Sequence, residues 1–284
     1  MGGVMIRGRN STAIAVRRMD GGIEVSSRPL ATLYRGKWRE IPLVRGVIVL
    51  IETVVLGTGA LMYSAQVSTE TEQEKITSGM IWGSVILGVV LAVALFFILP
   101  LLAARMLDPF ITSAFLSNVI EGVIRIVFFI VYLAAIGRMK DIREIFCYHG
   151  AEHMSVNAYE SGAPLEVGPV MTYSTAHTRC GTSFLLVVLV LAIVVFALLG
   201  RPPIWISIAS RILLLPVIAA LSYELIKFEA GFSNNRFVYW LLVPGLWLQA
   251  MTTRRPTESQ VEVAIAAMRK ALETDGLTTP ILPA

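Results

Sequence analysis

The chain has 284 residues, a formal net charge of +4, 55% apolar and 15% charged residues, and a mean hydropathy of +0.70. Soluble domains carry about a quarter charged residues, so these values exclude a disordered chain and argue against a water-soluble globular one. Two cysteines exclude a disulfide-stapled scaffold.

Residues 1–42 read as a basic, β-rich cytoplasmic segment. Residues 4–6, 13–16 and 23–25 alternate as strands, and Asp20-Gly21-Gly22 suits a hairpin turn. Nine Arg or Lys lie between Arg7 and Arg45, and no signal peptide precedes the first 40 residues, which are polar. A membrane domain over residues 43–251 follows. Four apolar runs, 81–102, 111–136, 184–199 and 204–226, are expected to cross as two hairpins. Two stretches, 44–65 and 237–250, are ambiguous. The first carries Arg45 and Glu52; the second is short and broken by Pro244-Gly245, which favours a re-entrant or interfacial piece. Residues 252–284 form a cytoplasmic helix and tail. Thr257 and Gln260 match a capping box, and Val261, Ala264, Ile265, Met268 and Leu272 recur at helical spacing.

The expected fold class is therefore an all-α polytopic membrane protein. It has about four transmembrane helices, one or two re-entrant or interfacial helices, and a small N-terminal β-hairpin region. Of 24 Lys and Arg, only Arg105 and Arg201 sit at the hairpin tips, and Arg125 and Arg211 fall within spans. With neither ambiguous stretch crossing, the other 20 share one side, which the positive-inside rule makes cytoplasmic, with both termini.

All three histidines lie in the loop 137–182. The segment 141–153 should be one helix, with Asp141 and Glu144 as an N-cap pair and Gly162 as its stop. His149 and His153 then differ by about 40° and one turn, and Glu152 stands about 60° to the other side of His149. This H-x-x-E-H order puts two imidazoles and a carboxylate on one face, as a divalent ion and a general base require. Zinc is the expected ion, with manganese, nickel or iron as alternatives. His177 is the first choice for a third ligand and Cys180 the second. Glu160 suits a substrate or supporting role, since it lies about 10.5 Å along the axis from His153. Cys147 points about 160° away from His149 and reads as a packed thiol.

Within the second span Asn118, Glu121 and Arg125 share a face. They read either as working residues or as an ion pair closed against Arg211 or Glu52. Glu224 and Glu229, at the end of the fourth span, could orient or ligate.

Four motifs carry a family resemblance: residues 3–8 (GVMIRG), 148–153 (YHGAEH), 177–184 (HTRCGTSF) and 244–249 (PGLWLQ), the last followed by Thr252-Thr253-Arg254. Together they resemble the YqhQ family of bacterial membrane proteins. That resemblance implies a metal-dependent enzyme of the bacterial inner membrane and supplies no substrate. The expectation is a metallohydrolase with His149, His153 and His177 or Cys180 on the metal and Glu152 as base. Arg179 would steady an anionic substrate or developing oxyanion. A lipid-linked or membrane-embedded substrate is the natural one. The rival is a metal-binding transporter or assembly factor using Asn118, Glu121 and Arg125. The expected partners are the bilayer and a lipid-linked or membrane-protein substrate, with a homo-oligomer left open and no nucleic acid.

Overall fold

The computed structural model describes residues 2–68, 78–177, 180–231 and 236–277, apart from the side chains at the edges of some of these stretches. Strands β1 (Gly3–Arg7), β2 (Ser11–Arg17) and β3 (Ile23–Pro29) form an antiparallel sheet in the order β1-β2-β3. Gly21, at φ +89°, lets the β2–β3 turn close. Alternate residues Val4, Ile6, Ala13 and Ala15 bury one sheet face.

That face packs on α11 (Glu258–Thr274) through Val261, Ala264, Ile265, Met268 and Leu272, and the core is completed by α5 (Lys140–Glu160). Gln260 accepts from the Thr257 N–H at 2.9 Å, closing the expected cap. The N-terminal segment, the histidine loop and the C-terminal helix, far apart in sequence, thus share one hydrophobic core.

The remaining helices form an apolar bundle. Helix α2 (Ser78–Val93) continues through a π turn, residues 94–98, into α3 (Leu99–Leu107). Then come α4 (Ala114–Ile136), α7 (Gly181–Leu198), α8 (Ile204–Leu213), α9 (Leu215–Gly231) and α10 (Arg236–Thr252); the short α6 (Val167–Val170) precedes α7. Outward-facing Leu87, Val90, Val127, Val131, Val190 and Val194 are all about half exposed, a surface suited to lipid rather than water. Among the described residues four helices are long and apolar enough to cross a membrane: Val44–Val67, Trp82–Phe110, Ala114–Ile136 and Gly181–Leu198.

Two details depart from the sequence expectation. The run 204–226 is not one straight helix but two, bent by 45°. Pro216, near the start of α9, has no N–H for the preceding turn and crowds its carbonyl. The stretch 237–250 is not broken at Pro244-Gly245; α10 runs through it. Gly245 instead lets α10 close on α7, where a Cβ would sit 2.9 Å from Ser183 Oγ.

The stretch 44–65 is one long helix, α1 (Val44–Ser68), which by length could cross. Its contacts tie it along the sheet. Glu52 pairs with Arg7 at 3.0 Å and Arg39 at 3.5 Å, and the Tyr63 hydroxyl donates to Glu24 at 3.2 Å. At its start Gly46 touches Ala220 of α9, and Arg45 pairs with Glu224. The Glu229 side chain lies outside the described residues.

Candidate metal centre

Helix α5 carries the H-x-x-E-H motif. Met139 is its N-cap, and Asp141 stands in the first turn rather than capping it. Gly162, at φ +73°, ends it, and the Ala163 N–H bonds back to the Ala158 carbonyl at 2.9 Å. His149 and His153 stack one turn apart, ring centroids 4.3 Å from each other.

Between them, Gly150 is needed for a backbone contact. A Cβ there would lie 2.1 Å from the Arg254 carbonyl oxygen. The bare glycine lets residues 252–254 dock on α5, with the Arg254 N–H on the Phe146 carbonyl at 2.9 Å. That docking presents the Thr252 carbonyl to His149 Nδ1 at 3.0 Å. The Thr175 carbonyl meets His153 Nδ1 at 2.6 Å. With both Nδ1–H groups donating to carbonyls, Nε2 is the nitrogen each ring would offer to an ion, the arrangement that supporting groups impose on metal-bound histidines.

Cys180, the N-cap of α7, is the third member. One donor atom from each of His149, His153 and Cys180 lies within 4.8 Å of the others. The sulfur is 3.3 Å from His149 Nε2, accepts from the Thr182 N–H at 3.4 Å and lies 3.4 Å from the Thr182 hydroxyl. Burial raises the Cys180 pKa, but hydrogen bonds from His149, His153 and Thr182 outweigh it and bring it to about 5. Its place at a helix N-terminus also favours the thiolate. Burial lowers the His149 pKa, yet Cys180, Glu152 and the Thr252 carbonyl turn the net shift upward. Two imidazoles and a thiolate converging on one point suit a divalent ion of zinc's preferences, with a position left for water.

His177, the sequence's first choice, lies beside His153 but is not among the three residues whose donor atoms converge. Its Nε2 is 3.3 Å from Glu160, and its ring centroid is 5.8 Å from that of His153. Buried Gln249 clamps the His177 backbone, accepting from the N–H at 2.7 Å and donating to the carbonyl at 2.9 Å. Arg179 lies outside the described residues. Cys147 is half-buried away from the cluster, and burial pushes its pKa up. Thr175, Gln249 and Thr252 were given no role from sequence, although Gln249 and Thr252 belong to the motif at residues 244–254.

Glu152 faces the same cluster. Burial pushes its pKa up against the pull of His149 and His153. Both Glu152 and His149 open onto a groove of about 740 Å³ between α5, β1 and α1. Its α1 wall is small and apolar, with Gly57, Ala60 and Leu61.

A model for "Protein of unknown function (DUF1385)" matches residues 41–274. The chain belongs to the DUF1385 family. It is also 30% identical over 292 residues to "Uncharacterized protein YqhQ" of Bacillus subtilis (strain 168), covering 97% of this chain and 91% of that protein. No solved structure matches. Membership of DUF1385 names no reaction, so chemistry must be argued from the cluster itself.

Proposed function

We propose that this DUF1385 member is a zinc-dependent hydrolase of a bacterial inner membrane. Its substrate would be lipid-linked or membrane-embedded and reached from the cytoplasmic side. One observation carries the reading. His149, His153 and Cys180 aim their donor atoms at one point, and a carboxylate and an apolar groove open beside it. A bound zinc ion lowers the pKa of a water and polarises a carbonyl.

The chain's own residues do the rest. Thr252 and Thr175 fix the imidazole tautomers through their carbonyls. Glu152, its pKa raised by burial, takes a proton from the attacking water and returns it to the leaving group. A metal-free Cys180–His149 nucleophilic pair is less well supported, because that pair would not call for the second imidazole aimed at the same sulfur.

The charge distribution supports a cytoplasmic site with both termini on that side. A Ser161→Cys variant lacking Cys147 and Cys180 should resist an impermeant thiol reagent on intact cells; labelling would reverse the orientation. The transporter alternative fits less well. Asn118, Glu121 and Arg125 form a closed network with Arg211, beside a cavity of only about 10 Å³.

The test of catalysis is Glu152→Gln. Purified protein in native lipids, incubated in heavy-oxygen water, should incorporate label into a hydrolysis product. The variant should keep its metal and lose incorporation by about 10²–10⁴-fold. Loss of metal would make Glu152 a ligand, and full incorporation would remove it as base.

A further inference from the structure

We propose that the groove beside the metal cluster binds an extended polypeptide as an added strand on the free edge of β1, which makes the chain a peptidase. This rests on the hydrolase reading above and specifies its substrate.

The edge is fixed by register. The Gly8 N–H bonds to the Ser11 carbonyl at 2.8 Å, and the Arg17 N–H to the Gly2 carbonyl at 3.4 Å. With Ile6 opposite Ala13 and Val4 opposite Ala15, alternation makes Gly2, Val4, Ile6 and Gly8 the residues that bond to β2. Gly3, Met5 and Arg7 therefore turn their N–H and C=O groups away from the sheet. Among the described residues no strand pairs with that edge. Sheets normally protect such edges, and an unprotected one is a template for another strand.

Here the edge lies in the groove. Gly3 and Met5 line it together with His149 and Glu152, and α1 stands across from them. The α5 wall runs from Asp141 to Glu152, about 16 Å, the length of about five extended residues. An incoming strand would bond to Gly3 and Met5 and lay its carbonyls past Glu152.

Charge selects the occupant. Among the described residues Asp141, Glu144 and Glu152 line the groove and no Lys or Arg does. Such a wall disfavours a phosphate-bearing lipid and favours a peptide with basic residues beside the cut bond. In the reaction a water oxygen bonds to the peptide carbonyl carbon and the C–N bond breaks. Glu152 carries the water proton to the departing amine, leaving a new carboxylate and a new N-terminus.

The test uses full-length, zinc-loaded protein in nanodiscs, heavy-oxygen water, a mixed library of unstructured peptides, and bacterial phospholipids. Label should enter new peptide carboxylates, with basic residues enriched near the cut. Met5→Pro removes one free edge N–H and no ladder bond. It should lower kcat/KM about tenfold with zinc retained. Val25→Pro, on the opposite edge of the sheet, should cleave like the parent.

Asp141→Lys, an exposed change, should shift preference from basic to acidic peptides and covers the case in which Met5→Pro does not fold. Label in lipid products with peptides intact would overturn the peptide assignment and leave the hydrolase standing. Label in neither would overturn both. Cleavage by folded Met5→Pro at the parent rate, or an unchanged preference in Asp141→Lys, would overturn strand addition.

Discussion

Two polar clusters sit in this mostly apolar chain, and they are built in opposite ways. The His149–His153–Cys180 cluster turns its donor atoms toward one another beside an open groove. Each imidazole uses one nitrogen on a backbone carbonyl and aims the other at a common point. The intramembrane cluster spends its polar atoms on itself. Glu121 accepts from Arg125 and, at 2.6 and 3.2 Å, from Arg211. Asn118 accepts from Arg211 at 3.3 Å and donates to the Gly200 carbonyl at 2.7 Å. Arg125 Nε donates to the Phe96 carbonyl, which lies in the π turn, and both guanidiniums lie over Phe196. Metal-ligating atoms converging beside a groove point to a ligand; donors saturated in a closed core point to structure.

The largest effect that could break this contrast is on metal content. Protein carrying His149→Ala and His153→Ala should fall from about one divalent ion per chain to none, by elemental analysis. Cys180→Ala should lose most of it, and His177→Ala should keep it, because His177 faces Glu160. Metal retained without Cys180 but lost without His177 would reverse the ligand assignment.

The other cluster should answer in stability. Arg211→Met leaves Glu121 with one partner in a site that is 2% exposed. Breaking a buried ion pair costs about 3–5 kcal/mol, so unfolding in detergent should begin far earlier while metal content per folded chain stays unchanged. A variant that folds normally and loses only function would restore the working-residue reading.

How far the sequence disclosed these two clusters depends on chain distance. His149, Glu152 and His153 are legible because helical spacing alone puts them on one face. Whether His177 or Cys180 turns toward His149 is not legible, since residue type cannot say which way a loop turns; Gln249, 72 residues away, holds the His177 backbone. Arg211 is legible as a partner for Glu121 because both interrupt apolar runs. Glu52 offers the same signal, yet it pairs with Arg7 and Arg39, outside the bundle. The α8–α9 bend was readable at Pro216, whereas the run through Pro244 shows packing overriding the same signal.

The thiolate gives a smaller and finer test. In metal-free protein the Cys180 pKa is near 5, against 9.0 for an ordinary cysteine. Alkylation should therefore persist down to about pH 5, and His149→Ala should move the midpoint back up. Cys147, pushed up by burial, should react only at alkaline pH. A Cys180 midpoint near 9 would mean that the imidazoles do not face the sulfur.

Close approach in the docking layer should show a similar size of effect. Gly150→Ala drives a Cβ into the Arg254 carbonyl, a backbone atom that cannot swing aside. About 1–3 kcal/mol of stability should go, and zinc affinity with it, because the Thr252 carbonyl moves off His149. A variant destabilised without weaker zinc binding would separate the docking from the metal centre.

The smallest effect lies far from both clusters, at the seam between sheet and C-terminal helix. Asp275 accepts from the backbone N–H groups of Arg9 and Asn10 and from the Ser11 hydroxyl. Partial burial raises its pKa, but these bonds outweigh it and leave the group below its ordinary 3.8. A depressed carboxylate stabilises the fold above the unfolded-state pKa, and that stability is lost as pH falls through the folded value. Asp275→Asn should therefore cost about 1 kcal/mol at about pH 6, and the gap from the parent should narrow as pH falls below about 4. Because the seam joins the N-terminal sheet to α11 and not to the metal ligands, zinc content should be the same in both proteins. A pH-independent gap would mean that Asp275 acts by shape alone, and a loss of zinc would mean that the metal centre depends on the sheet being held at this corner.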